Sequence, residues 1–375
     1  MSPPGEVGPS VSLVCEQLFQ PVPGGIGTYV RALLSTLPGQ EVRVRPVVAW
    51  HRMTRVRDAG LDGAIRLPVP RQVIYRAWAA GAGPSVPGGT DLVHAPSLAF
   101  PPRGRKPLVV TVHDVLFHDH PELYPARAVR FHERALARLS DADLVICPSR
   151  ATADAVRDVQ PRVSRVEVVP LGTDMAAPAR AEVDAVLERL RVARPYVLWA
   201  GTLEPRKNLG RVLEAVGRSR AGMTQGGRPT LCLVGPRGWM RDDPNDLIER
   251  GSGHERWLGP VSRRDLGALY AGADAFLFPS LAEGFGLPVL EAMACGAPVV
   301  TSDRSALPEV AGDAALLCDP TDAGSIAQAL EKVLSDRELA GRLSRSGLER
   351  ARQFTWDRTT LRTASLYREL LGGAS

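Results

Sequence analysis

Residues 275–291 run AFLFPSLAEGFGLPVLE. An uninterrupted apolar run, 275–279, is followed by a loop holding Glu283, Gly284, Phe285, Gly286 and Leu287. A helical stretch beginning at Pro288 follows. The apolar run has no alternation, so it suits a parallel strand covered on both faces. Pro288 fits a first helical turn, where a missing N–H costs nothing. The two glycines remove side chains just where the chain enters the helix, leaving free amides and the positive helix end as a seat for an anion. Glu283 stands before the glycines and Glu291 about one turn into the helix, so the two carboxylates need not face each other.

The same strand–helix unit recurs along the chain. Further apolar runs occur at 11–15, 44–50, 92–95, 108–113, 144–147 and 166–170, and then at 196–201, 231–235, 299–301 and 315–318. Helical stretches such as 127–139 and 323–334 lie between them. Strand–helix alternation repeated twice predicts an α/β chain with two doubly wound, Rossmann-like domains facing a central cleft. The expected boundaries are 1–172 and 173–353. An amphipathic helix at 354–375 would pack back across the seam through Trp356, Leu361, Leu366, Tyr367 and Leu370. Ligands of such sheets bind outside the carboxyl ends of the strands.

Composition narrows the function. The chain has 375 residues, 44% hydrophobic and 23% charged, which supports two folded cores and excludes disorder. The formal charge is +5, but aromatics are only 5%, too sparse for base-stacking platforms, so no nucleic-acid partner is expected. Three of the 46 basic residues are lysines, and the rest are arginines spread among 41 acids. The first residues lack the basic start of a signal peptide, no run reaches the length of a membrane span, and the five cysteines show no CxxC spacing. The expectation is a cytoplasmic protein with reduced thiols.

Three more strand ends carry candidate chemistry. After the strand at 196–201 comes Thr202-Leu203-Glu204-Pro205-Arg206-Lys207-Asn208, where a planar guanidinium and an ammonium share one loop, a suitable clamp for a diphosphate. Lysine is rare here, which favours a specific role for Lys207. After the first strand, Gly24-Gly25-Ile26-Gly27-Thr28-Tyr29 resembles a dinucleotide fingerprint but lacks its third glycine and its acidic partner. The strand at 108–113 ends in His113, with His118 and His120 downstream. These histidines lack a carboxylate or cysteine set that would complete a tetrahedral site, so no metal is expected.

Taken in order, GGIGTY, VHD, GTLEPRKNL and EGFGLPVLEAMACGAPVVTSD resemble the retaining glycosyltransferases of GT-B fold, family 4 (glycosyl transferases group 1), over nearly the whole chain. The resemblance implies a hexosyltransferase that needs no cofactor and no metal. Its donor would be a nucleotide-diphosphate sugar, with GDP-mannose suggested by the mannosyltransferase-like GTLEPRKN. Its acceptor would be a hydroxyl of a glycan, a lipid-linked sugar or a small molecule. By the same resemblance Arg206 and Lys207 would hold the donor pyrophosphate, and Glu291 the ribose. Glu283 and the backbone of Gly284, Phe285, Gly286 and Leu287 would hold the sugar hydroxyls. Gly25 and Gly27 would approach the phosphates from the other domain, and His113 would sit by the sugar. Many relatives carry an arginine where this chain has Thr202. A second reading is a non-catalytic nucleotide-sugar binding module on the same fold.

One charge pattern lies outside these motifs. Arg127, Arg130, Arg134 and Arg138 recur at helical spacing. Such a stripe would suit peripheral contact with an anionic membrane at its inner face; a solvated helix face is the alternative.

Overall fold

The computed structural model describes residues 8–219, 229–240, 246, 248 and 253–373. The chain divides into two compact units, one of Met1–Gly172 with Trp356–Ser375 and the other of Thr173–Thr355.

The first unit is a parallel sheet of β1 (Ser10–Val14), β2 (Arg43–Val48), β3 (Ile65–Arg66), β4 (Leu92–Ala95), β5 (Leu108–Thr111), β6 (Leu144–Cys147) and β7 (Val166–Val168). Their spatial order is β3-β2-β1-β4-β5-β6-β7. Strands β1, β4, β5 and β6 are buried at every position, as uniformly apolar runs require. The second unit pairs β8 (Tyr196–Ala200), β9 (Thr230–Val234), β10 (Glu255–Gly259), β11 (Ala275–Phe278), β12 (Val299–Ser302) and β13 (Ala315–Cys318). Among the described residues the order is β10-β9-β8-β11-β12-β13, again parallel. Both orders reverse direction once, at β1/β4 and at β8/β11. A doubly wound sheet opens its ligand crevice at that switch.

Two strands, β3 and β10, were not among the apolar runs. The first is two residues long, and the second is half-buried and charged at Glu255 and Arg256. Both are sheet edges, where an apolar run is not needed.

The helix Trp356–Gly372 belongs to the first unit. Trp356, Leu366 and Tyr367 are buried as expected, but Leu361 is 56% exposed and Leu370 only half-buried. Its inner face is built instead from Thr359, Thr360, Thr363 and Ala364. The threonine hydroxyls satisfy carbonyls there: Thr359 donates to Pro170 O at 2.8 Å, and Thr363 to Thr359 O at 2.7 Å. Small side chains let the helix approach closely, which a leucine stripe would not. A buried polar chain fixes it to the sheet. His94 Nδ1 meets the Tyr367 hydroxyl at 2.6 Å, His94 Nε2 meets Thr111 Oγ1 at 2.8 Å, and Thr111 Oγ1 meets the Tyr29 hydroxyl at 3.2 Å.

The arginine stripe does not form as spaced. The helix is Ala126–Ala137, with Arg127, Arg130 and Arg134 exposed. Arg138 lies beyond its end and is tucked inward: its guanidinium donates to Trp78 O, pairs with Asp141 at 2.8 Å and stacks over the Phe100 ring. The helix stops two residues short of the expected 139, so the fourth arginine lies past its last turn and leaves the face. Among the described residues no helix is long and apolar enough to cross a membrane, and all five cysteines are free and buried.

Candidate functional site

Adjacent strands β8 and β11 flank the switch of the second sheet, and each delivers one loop to its carboxyl edge. The loop after β8 turns through a short 3-10 helix, Pro205–Lys207, into the helix Leu209–Arg218. Asn208 sits between them in the left-handed region at φ 62°, buried. Its amide donates to Pro279 O at 2.9 Å and to Pro320 O at 2.7 Å, tying this loop to the end of β11. Two further bonds lock the loops together: Leu281 N donates to Arg206 O at 2.8 Å, and Ser280 Oγ to the same oxygen at 2.9 Å.

This frame brings Arg206, Lys207 and Glu283 into one buried ionic cluster. Lys207 Nζ reaches Glu283 Oε1 at 2.5 Å, and Arg206 Nη1 reaches Glu283 Oε2 at 2.7 Å. Arg206 Nε also pairs with Glu204 at 3.0 Å, and the Ser280 hydroxyl lies 2.9 Å from Glu283 Oε1, its one proton shared between that carboxylate and Arg206 O. The Lys207 ammonium lies 4.7 Å from the centre of the Phe278 ring. Burial alone would push the Glu283 carboxyl up; the Arg206 charge and then that of Lys207 outweigh it and hold it down to about 2. Glu204 and Ser280 carry no signal of such a role in the sequence. Only the meeting of two loops 76 residues apart exposes them.

The loop 283–287 is rigid for identifiable reasons. Glu283 N donates to Ser305 Oγ at 2.8 Å, and that hydroxyl donates back to Glu283 O at 2.9 Å. Phe285 is buried edge-on against Phe354, with ring centres 5.9 Å apart. Gly286 caps the helix Leu287–Ala294 at φ +105°, and a Cβ there would lie 2.6 Å from Leu307 Cδ2. Gly284 is buried beside it.

Glu291, in that helix, is buried and pairs with Arg263 at 3.0 Å, while Arg263 also holds Asp174. Burial pushes the Glu291 carboxyl above its ordinary value, and Arg263 offsets this only in part. Neither Arg263 nor Asp174 carried a sequence signal, since they belong to no loop at a strand end of the switch.

The remaining candidates lie in the first unit. Gly25 is exposed and Gly27 buried in the first turn of the helix Gly24–Thr36, where a Cβ on Gly27 would meet Pro23 Cβ at 2.4 Å. His113, two residues past β5, joins Pro96 O through Nε2 at 3.0 Å and stands edge-on to Tyr29. Burial draws its pKa down, so it is neutral at neutral pH. His118 pairs with Glu133 and His120 with Glu122, both exposed and apart from His113. Among the described residues no three histidine, cysteine, aspartate or glutamate side chains cluster to hold a metal ion.

Comparison with known proteins bears on the family and the fold. Residues 23–177 match the model of Glycosyltransferase Family 4, and residues 187–350 that of Glycosyl transferases group 1. The chain is 38% identical over 289 residues to O-antigen chain mannosyltransferase B of Escherichia coli, covering 74% of each chain. It is 31% identical over 380 residues to D-inositol 3-phosphate glycosyltransferase of Salinispora tropica, covering 91% of this chain and 76% of that one. Among solved structures it resembles sucrose-phosphate synthase from Thermosynechococcus elongatus, with a TM-score of 0.73 at 22% identity over 98% of this chain and 100% of that one. It also resembles Anabaena HepE in complex with UDP and glucose, with a TM-score of 0.74 at 19% identity over 96% and 100%. With its two parallel-sheet units of GT-B type and this degree of identity to a mannosyltransferase, the chain belongs to the family 4 glycosyltransferases.

Proposed function

We propose that this glycosyltransferase moves a mannosyl group, with retention, from a nucleotide-diphosphate sugar to a hydroxyl of a glycan, lipid-linked sugar or small molecule. The observation that carries the reading is the cluster of Arg206, Lys207 and Glu283 at the β8/β11 switch. Two cations fixed in a water-poor site can stabilise the charge that grows on a departing nucleoside diphosphate without reorganising. In this reading they hold the donor pyrophosphate and need no metal, and Glu291 accepts from the ribose diol. The backbone of Gly284, Phe285, Gly286 and Leu287 faces the sugar. His113, Gly25 and Gly27 act from the first unit.

Both Glu283 oxygens are already engaged by cations, which supports a role in holding sugar hydroxyls over one as a covalent nucleophile. Retention then proceeds on one face of the sugar, with the leaving phosphate helping to deprotonate the acceptor hydroxyl. The mannosyl assignment rests on the E. coli relative. The test is a screen of GDP-, UDP- and ADP-sugars for release of the nucleoside diphosphate. Release from GDP-mannose is expected; release only from another sugar nucleotide would overturn the donor assignment, and none from any would overturn transfer itself.

A further inference from the structure

The first unit gathers positive charge at one place that the donor chemistry does not use. Arg55 Nη2 and Arg71 Nη1 both donate to the same oxygen, Phe19 O, at 3.2 and 2.9 Å. Phe19 stacks on His51, ring centres 4.1 Å apart, and Arg66 Nη1 donates to His51 O at 3.2 Å. Three guanidinium groups therefore border one stacked pair, each held by a neutral carbonyl. Among the described residues no carboxylate pairs with Arg55, Arg66 or Arg71. The carboxylate behind them is occupied: Glu16 takes His51 Nε2 on one oxygen and Ala49 N on the other, both at 2.8 Å.

Two cations converging on one carbonyl repel each other, and a carbonyl dipole compensates only part of that. An anion with several acceptor oxygens would complete the arrangement, since each guanidinium keeps further N–H donors in a planar fork. Phe19 follows β1, His51 and Arg55 follow β2, Arg66 ends β3 and Arg71 follows it, all at the carboxyl edge where ligands of such sheets bind. Four of the seven large apolar side chains exposed among the described residues lie on these same segments: Val22, Trp50, Met53 and Val73.

We propose that Arg55, Arg66 and Arg71 form a phosphoryl-binding subsite that holds the acceptor by a phosphate or diphosphate ester, with Trp50 and Met53 beside the group esterified to it. The acceptor role rests on the glycosyl-transfer reading, whereas the anion site does not.

The test is calorimetric titration of the whole chain with inorganic pyrophosphate, run in excess GDP and again in excess UDP to occupy the donor site. Wild type should bind. The double variant Arg55→Gln/Arg71→Gln should lose about tenfold or more, the loss expected for charged hydrogen bonds. Arg55→Lys/Arg71→Lys should recover part of it. Equal affinity in wild type and double variant overturns the subsite. Should the double variant not fold, Arg66→Gln, on an exposed side chain, is expected to weaken binding several-fold, and an unchanged affinity overturns the proposal equally. Flotation with phosphatidylglycerol vesicles separates the sources. Flotation lost in the variants assigns a lipid-borne phosphoryl group, and pyrophosphate binding without flotation assigns a soluble ester. A wild type that binds pyrophosphate through these arginines yet releases no nucleoside diphosphate from any sugar nucleotide retains the subsite and removes the transferase reading.

Discussion

Lys207 and Glu283 are joined at 2.5 Å inside the second unit, although 76 positions separate them in sequence. Both are less than a tenth exposed, so neither charge is left to water if the other is removed. Lys207→Ala should lower turnover by about 10²-fold or more through loss of a preorganised charge at the leaving group. It should also destabilise the unit by up to ~3 kcal/mol, since Arg206 still neutralises Glu283 and the full cost of an orphaned buried charge is not reached. Nucleoside diphosphate release at saturating donor and chemical denaturation measure the two effects. Unchanged turnover would sink the clamp assignment.

Glu291 and Glu283 should separate in binding. Glu291→Gln should weaken both donor and free nucleoside diphosphate by ~1–3 kcal/mol, the worth of a charged hydrogen bond. Glu283→Gln should spare the free diphosphate more than the intact donor. Calorimetry on both variants with both ligands is the measurement, and equal losses throughout would contradict the division.

Acid should act on the first unit through His94. Its folded pKa is drawn by burial from 6.5 down to about 3. A histidine held neutral contributes stability that is present above its unfolded pKa and is lost as pH falls from about 6.5 toward 3. The slope is at most ~1.4 kcal/mol per pH unit. Glu283 adds a second limb, present above the ordinary carboxylate range and lost toward about pH 2. Denaturation at pH 7 and pH 5 should show a steeper loss in wild type than in His94→Gln, which cannot titrate there. Parallel losses would remove His94 from the account.

Gly286→Ala meets two obstacles at once, a φ of +105° and a Cβ placed 2.6 Å from Leu307 Cδ2. Strain of ~1–3 kcal/mol is expected from the backbone alone. Because Gly286 caps the helix that carries Glu291, nucleotide affinity should fall together with the melting temperature. A fall in melting temperature with unaltered affinity would show that the loop absorbs the strain without moving the site.

The two α/β units were legible because apolar runs without alternation leave few alternatives to covered parallel strands. Edge strands β3 and β10 were hidden because an edge tolerates Arg66, Glu255 and Arg256. The threonine face of the last helix was hidden because side-chain-to-carbonyl bonds leave no apolar period to read. At the site, strand ends pointed to Arg206, Lys207, Glu283 and Glu291. Their pairing depends on β8 lying beside β11, which is a matter of topology, and Arg263 reaches Glu291 from a helix with no marker of its own.

The helix Trp356–Gly372 completes the first unit, although the whole second unit is synthesised before it. On a ribosome adding ~5–20 residues per second, the N-terminal sheet therefore waits many seconds for its last element. During that interval His94 lacks Tyr367 and Pro170 O lacks Thr359, while residues 173–355, which form the second unit, emerge as one uninterrupted stretch. The order of completion is the reverse of the order of translation: a chain ending at residue 355 would contain the whole of the second unit and still lack the last helix of the first.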